Sequence, residues 1–174
     1  PHTPVTAIQT NNKVLTNSEE IADTFAQLWA RYSNDDNFCE EYVREKQHWL
    51  SMVYAPQGLS VSATCVENKI TLCELISALQ HAKGKTPGID RISYPMLSNL
   101  PPIAKQRLLS LYNSIFEKGS YPHPWRIATV IPIIKPNKPA DLPSSYRPIS
   151  LLSCLSKIFE KIIAKRLTWF VTKN

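Results

Sequence analysis

A lysine and an arginine stand twelve positions apart, Lys135 and Arg147, joined by a loop with prolines at 136, 139 and 143 and no glycine. Lys138 lies inside the same loop. These residue types suit a ligand rich in phosphoryl oxygens. Lysine meets such a group as a mobile point charge, and arginine as a planar fork that grips two oxygens at once. Mounted on the two arms of one hairpin, the pair would converge on a single triphosphate. The prolines limit how far the arms wander, so less ordering entropy is lost on binding. The same residues also fit a proline-rich surface loop with incidental cations, and the pair alone leaves both readings open.

Other candidates are weaker. Gly84-Lys85-Thr86 has the ending of a phosphate-cradling P-loop, but Leu79 stands where that motif needs its first glycine, and a helical pattern precedes it rather than a strand. A helix end followed by a turn explains it better. Lys83, Lys85 and Arg91 nevertheless surround a loop in which Gly88 would let the backbone approach a ligand closely. Asp35 and Asp36 are adjacent carboxylates, a pattern that can hold magnesium. Tyr32 is one position too far upstream for the aromatic-x-Asp-Asp pattern of polymerases, and N-capping of a helix is the better account. Lys157, Lys161 and Lys165 recur every four residues on one helix face, either as a solvated stripe or as a polyanion contact. No Ser/His/Asp or Cys/His grouping emerges, the cysteines (39, 65, 73, 154) match no zinc spacing, and neither a catalytic residue nor a metal site is assigned.

Charge is divided along the chain. Residues 1–80 hold five Lys/Arg against ten Asp/Glu, and residues 81–174 hold fifteen against four, which together give the net +6. The second half therefore asks for a polyanion partner. Scattered thiols fit a reducing compartment. No apolar run reaches membrane-spanning length and no signal peptide is present, so no membrane role and an intracellular location, nuclear or cytoplasmic, are expected. A start at Pro1 and a last helical pattern running to Asn174 without a glycine cap read as cut ends, so the chain is expected to be an excised fragment.

The elements that must position these residues follow from periodicity. Residues 1–16 read as irregular. Asn17 and Glu20 form a capping-box pattern before a helix with Ile21, Phe25, Leu28, Trp29 and Tyr32 on one side. "SNDDNF" breaks it and begins a second helix with Phe38, Tyr42, Trp49 and Val53, and residues 54–70 read as a linker. Thr71 and Glu74 start a third helix that stops at Gly84, a short helical turn covers 94–100, and Pro101-Pro102 open a helix ended by Gly119. Residues 127–134 and 146–151 are strand-like and should pair antiparallel as a wide hairpin, with 152–171 helical and burying Ile158, Phe159 and Ile162. The fold class is α+β, mostly helical with a small antiparallel sheet. Residues 1–70 form a helical extension and linker, and 71–174 the second region.

Three blocks carry a resemblance: "GKTPGIDRISYPML", "WRIATVIPIIKPNKP" and "SYRPISLLSCLSKIFEKIIAKRL", in that order. They resemble the opening blocks of reverse transcriptases from non-LTR retrotransposons, of the Jockey type in particular, over about residues 71–174. The resemblance implies the fingers of a right-hand polymerase, with Lys135 and Arg147 on the triphosphate of the incoming deoxynucleotide and Lys138 able to replace Lys135. It implies a place near the template for Lys85, Gly88 and Asp90, with Arg91 standing where many relatives have glycine. With the basic stripe, it implies an RNA template or an RNA–DNA hybrid as partner. The catalytic carboxylates and their magnesium belong to a palm whose blocks follow this region, so the fragment should carry no cofactor and should not polymerise alone. Apolar surface meant for that palm could pair two copies. The other expectation is an excised or domesticated fragment that works as a protein-interaction or RNA-binding module.

Overall fold

The computed structural model describes residues 5–10, 13–54, 68–84 and 86–173. Lys85, and residues 55–67 of the expected linker, lie outside the described residues. The fold is mixed α+β and mostly helical, with small antiparallel β pairings. Contacts divide it into two units, Pro1–Val61 with Ile131–Ile149, and Ser62–Val130 with Ser150–Asn174.

In the first unit, β1 (Ile8–Gln9) pairs antiparallel with β2 (Val14–Leu15), with Ile8 opposite Leu15. Strands of two residues carry too little alternation to read from sequence, and this stretch was expected to be irregular. Their inward residues join Ile21 and Phe25 of α1 (Ser18–Tyr32) and Tyr146 in a small core. Asn17 caps α1, its side-chain oxygen accepting from the N–H groups of Glu19 at 2.8 Å and Glu20 at 3.3 Å. Glu20 does not close the expected reciprocal half of the box. Its carboxylate pairs with Lys13 at 3.1 Å instead.

A turn of 3-10 helix at Asp35–Asn37 leads into α2 (Glu40–Tyr54). Neither aspartate caps α2 as expected. Asp35 is ion-paired with Lys46 at 2.6 Å, and Asp36 accepts from the Asn34 side-chain amide at 2.6 Å. The aromatic residues at helical spacing, Phe38, Tyr42 and Trp49, are exposed rather than buried.

β3 (Thr129–Ile134) and β4 (Tyr146–Leu151) form the second two-stranded sheet. The N–H of Lys135, just past β3, donates to the carbonyl of Ser145, just before β4, at 2.8 Å. A bond joining the end of one strand to the start of the next is the mark of an antiparallel hairpin. In a two-stranded sheet both strands are edges, where prolines such as Pro132 and Pro148 are tolerated.

The second unit packs α3 (Leu72–Gln80), α4 (Tyr94–Ser98), α5 (Pro102–Lys118) and α6 (Cys154–Lys173) around one core. α3 ends at Gln80, short of the glycine expected to stop it, whereas Gly119, in the left-handed region at φ 59°, does end α5. Ile158, Phe159 and Ile162 of α6 are buried, as their spacing requires. Tyr112 of α5 is fully buried, its ring 5.4 Å from that of Phe159, and its hydroxyl donates to the Leu155 carbonyl at 2.7 Å. No helix of the described residues is long and apolar enough to cross a membrane.

α3 and α6 are joined by a charged clamp. Thr71 and Glu74 form the full capping box expected of them, and the Glu74 carboxylate also accepts from Arg166 Nε at 2.6 Å. The guanidinium reaches the carbonyls of Asn68 and Lys69 as well. The Arg166 hydrogen bond, against a smaller opposing effect of burial and with help from Thr71, lowers the Glu74 pKa to about 2. A carboxylate depressed in the folded state contributes stability above its unfolded pKa and loses it as pH falls through the folded value. Thermal stability should therefore fall between about pH 5 and pH 2, by on the order of 2 kcal/mol from this clamp. Arg166→Ala should flatten that part of a calorimetric pH profile while lowering stability at pH 7.

Candidate functional site

The hairpin connection is built from short, ordered turns. Lys135-Pro136-Asn137-Lys138 closes with the Lys138 N–H on the Lys135 carbonyl at 3.3 Å, and Asn137 has φ 57°. Proline second and a left-handed residue third is the signature of a type II turn, and asparagine tolerates that conformation. A 3-10 turn at Pro143–Ser145 delivers the chain to β4. The Tyr146 hydroxyl donates to the Ala140 carbonyl at 2.6 Å and pins the loop from inside. Its ring packs edge-on against Phe25 at 5.2 Å.

Strand alternation then fixes Arg147. Because Tyr146 is buried, its neighbour must point the other way. The Arg147 side chain is exposed and makes no hydrogen bond or ion pair among the described residues. Lys135 is half-buried, and its ammonium donates to the Ser144 carbonyl at 2.8 Å, leaving two of three donors. Lys138, at the far end of the same turn, is exposed and has no such bond among the described residues. The hairpin thus carries one cation that braces the loop and two that are uncommitted. Chemically it can offer a point charge and a fork to an anion.

Sequence reasoning did not find the cleft beside this loop. Thr24, Gln27 and Arg31 of α1 face Gln9, Thr10 and Ser144 across about 500 Å³. The signal was present, since Thr24, Gln27 and Arg31 share the spacing of one helix face.

The loop at 86–92, in the second unit, is held by its own chain. A Cβ on Gly88 would come within 2.7 Å of the Leu152 carbonyl carbon and the Ser153 nitrogen, so the close approach expected there is to backbone. Asp90 accepts from the Ile92 N–H at 3.1 Å and from the Ser153 hydroxyl at 2.5 Å. Arg91 has φ 58° and an exposed side chain. Of the lysine stripe, Lys161 donates to the His81 carbonyl at 2.7 Å, a favourable place for a cation at the C-terminal end of α3. Lys165 lines a small cavity with Glu74, Ser77 and His81, and Lys157 is half-buried. Lys135, Lys138 and Arg147 lie in the first unit, and Gly88, Asp90, Arg91, Lys157, Lys161 and Lys165 in the second.

No family model matches the chain. It is 35% identical over 160 residues to a probable RNA-directed DNA polymerase from transposon BS of Drosophila melanogaster, covering 91% of this chain and 17% of that protein. It is 34% identical over 152 residues to the RNA-directed DNA polymerase from mobile element jockey of the same species, covering 86% and 16%. A retrovirus-related Pol polyprotein from the type-1 retrotransposable element R1 of Bradysia coprophila is 33% identical over 84 residues, 48% of this chain and 8% of that protein. The chain is therefore homologous, over part of their length, to reverse transcriptases of non-LTR retrotransposons of the Jockey and R1 kinds.

The close approach at Gly88 makes a sharp test of the second-unit loop. Gly88→Ala should destabilise the fold by about 2 kcal/mol or more, because the methyl would meet backbone, which cannot rotate away. Gly84→Ala has open space around it and bears only the strain of its positive φ, so it should cost less. Chemical denaturation of both variants reads the difference.

Proposed function

We propose that this chain is the nucleotide- and template-gripping fingers region, with an N-terminal helical extension, of an RNA-directed DNA polymerase of a non-LTR retrotransposon. The observation that carries the proposal is the exposed Arg147 on a strand whose inward neighbour Tyr146 is locked in a core, opposite a turn bearing Lys135 and Lys138. Homology over most of the chain to RNA-directed DNA polymerases supports it. The chain spans about a sixth of the length of these curated relatives, 17% and 16%.

In this reading Arg147 grips two non-bridging oxygens of a deoxynucleoside triphosphate. Lys138 supplies a second positive charge, and Lys135 braces the loop while its remaining N–H groups reach the same ligand. The second unit carries thirteen Lys/Arg against five Asp/Glu, which suits an RNA template or an RNA–DNA hybrid. The stripe Lys157, Lys161 and Lys165, with Lys85 and the 86–92 loop, would contribute phosphate contacts that position the nucleic acid without reading its sequence.

Magnesium, which such polymerases use to stabilise the transferring phosphoryl group, does not fit the described residues. No three of their His, Cys, Asp or Glu side chains come together, and Asp35 is committed to Lys46. Its ligands would come from the palm of the same polypeptide. The chain alone should bind and orient but not polymerise.

A second reading is favoured by one observation. α2 exposes Tyr42 and Trp49, and Phe38 just before it is exposed too, beside several carboxylates, a surface suited to a protein partner, so the N-terminal region would act as an interaction module.

Primer extension on an RNA template by the intact polymerase tests the leading reading. Arg147→Ala should raise the Michaelis constant for nucleotide by about tenfold and lower turnover, because the fork aligns the phosphates. Arg147→Lys should recover only part of the loss. Lys138→Ala should cost more than Lys135→Ala in nucleotide affinity, whereas Lys135→Ala should cost more in thermal stability. Unchanged kinetic constants in a folded Arg147→Ala protein would leave the hairpin as a surface connection only.

A further inference from the structure

The loop from Thr86 to Ile92 contains an energetic contradiction. Arg91 occupies the left-handed region at φ 58°, where a non-glycine residue costs roughly 1–2 kcal/mol. Its N–H donates to the Gly88 carbonyl at 3.0 Å, so the turn is closed. Its guanidinium is exposed and makes no hydrogen bond or ion pair among the described residues. Glycine would adopt this backbone without strain, so the side chain brings a cost that nothing in the described fold repays. Backbone outliers of this kind cluster at binding sites, which makes Arg91 a candidate contact.

Four contacts stop the loop from relaxing. Gly88 lies flat against the backbone of Leu152 and Ser153, where even a methyl would clash. The Asp90 carboxylate holds two donors at once, the Ile92 N–H and the Ser153 hydroxyl. Ser153 stands just before α6, and its hydroxyl oxygen also accepts from the Leu155 N–H at 3.2 Å. Asp90 is thus a negative charge near the positive end of a helix of 20 residues, tied to the residue that caps it. Cys154 Sγ lies 4.0 Å from the Thr86 carbonyl and closes the other side.

We infer that Asp90 and Ser153 form a latch that fixes the backbone at Arg91 and so presents its side chain to the phosphodiester backbone of a nucleic acid. The guanidinium is the binding group, and Asp90 is a positioning residue that acts through it. With the backbone fixed in advance, only side-chain freedom remains to be lost on engaging a phosphate. The neighbourhood has the right sign, because Lys83 is exposed on the same connection and the unit carries a surplus of eight positive charges. This inference rests on the nucleic-acid reading given above and goes beyond it by assigning one contact and its support.

The test is fluorescence anisotropy of the whole chain with a labelled 20-nucleotide oligouridine RNA, and separately a DNA of the same length, over a salt series, alongside melting temperatures. Arg91→Gly should raise the melting temperature by relieving strain, yet weaken RNA binding about tenfold at low salt and reduce the salt slope by about one. Arg91→Lys should keep the slope with a smaller loss. Asp90→Asn offers one acceptor oxygen where two bonds are needed, so it should weaken binding, and in the Arg91→Gly background it should weaken it no further. Equal losses on RNA and DNA would assign the contact to the phosphate backbone in general, and a loss on RNA alone to the template. If wild-type chain binds neither nucleic acid, the nucleic-acid reading fails and this inference with it. If wild type binds while Arg91→Gly binds equally well with the same slope, only the latch is overturned. Additive effects of Asp90→Asn and Arg91→Gly would likewise remove Asp90 from its positioning role.

Discussion

The candidate hairpin depends on the burial of Tyr146. Its ring enters the small core with Ile8, Leu15, Ile21 and Phe25, and its hydroxyl ties down Ala140 in the loop. Burial in the same apolar setting pushes the phenol's pKa up, so the hydroxyl stays a donor throughout the physiological range. A side-chain period of two then leaves Arg147 no choice of face. A slip of one residue would bury the guanidinium and expose the ring, at the cost of an unpaired buried charge and a lost aromatic contact. Specificity of register is thus specificity of where the arginine points.

The same logic explains why the loop can be long and still ordered. From Lys135 to Tyr146 the chain contains one type II turn, one 3-10 turn and two bonds from Lys135 back to Ser144 and Ser145. Prolines remove conformational freedom from the unfolded chain, and the two Lys135 bonds close what remains. Each bond contributes only about 1 kcal/mol, but together they hold an exposed connection without a hydrophobic core of its own. The β1–β2 pair adds to this support, since the Gln9 N–H donates to Asp141 at 2.6 Å.

Much of this was legible in the sequence. The hairpin, the long helix after it and its buried Ile158, Phe159 and Ile162 followed from period and proline placement. The Thr71–Glu74 box followed from a four-residue pattern. What was hidden depends on long-range partners. Glu20 was diverted to Lys13 and Asp35 to Lys46, and neither pairing leaves a local signature. Gly88 read as a place for a ligand, but only folding brings Leu152 and Ser153 against it, more than sixty residues on. Likewise the sequence put Lys135 first with Lys138 as its stand-in, and only the Ser144 carbonyl distinguishes the bonded cation from the uncommitted one. Residue type and spacing therefore singled out the cations as candidates, while only the fold shows which of them is bonded within the loop.

The central claim is that the hairpin presents Arg147 and Lys138 to the phosphates of a nucleotide. The most direct measurement is a side-chain NMR titration of the chain, observing arginine Nε–H and lysine ammonium resonances as a deoxynucleoside triphosphate is added, with the monophosphate as comparison. The account predicts saturable shifts at Arg147 and Lys138, stronger for the triphosphate and abolished by Arg147→Ala. Shifts that are absent, equal for both nucleotides, or confined to lysines of the second unit would contradict it.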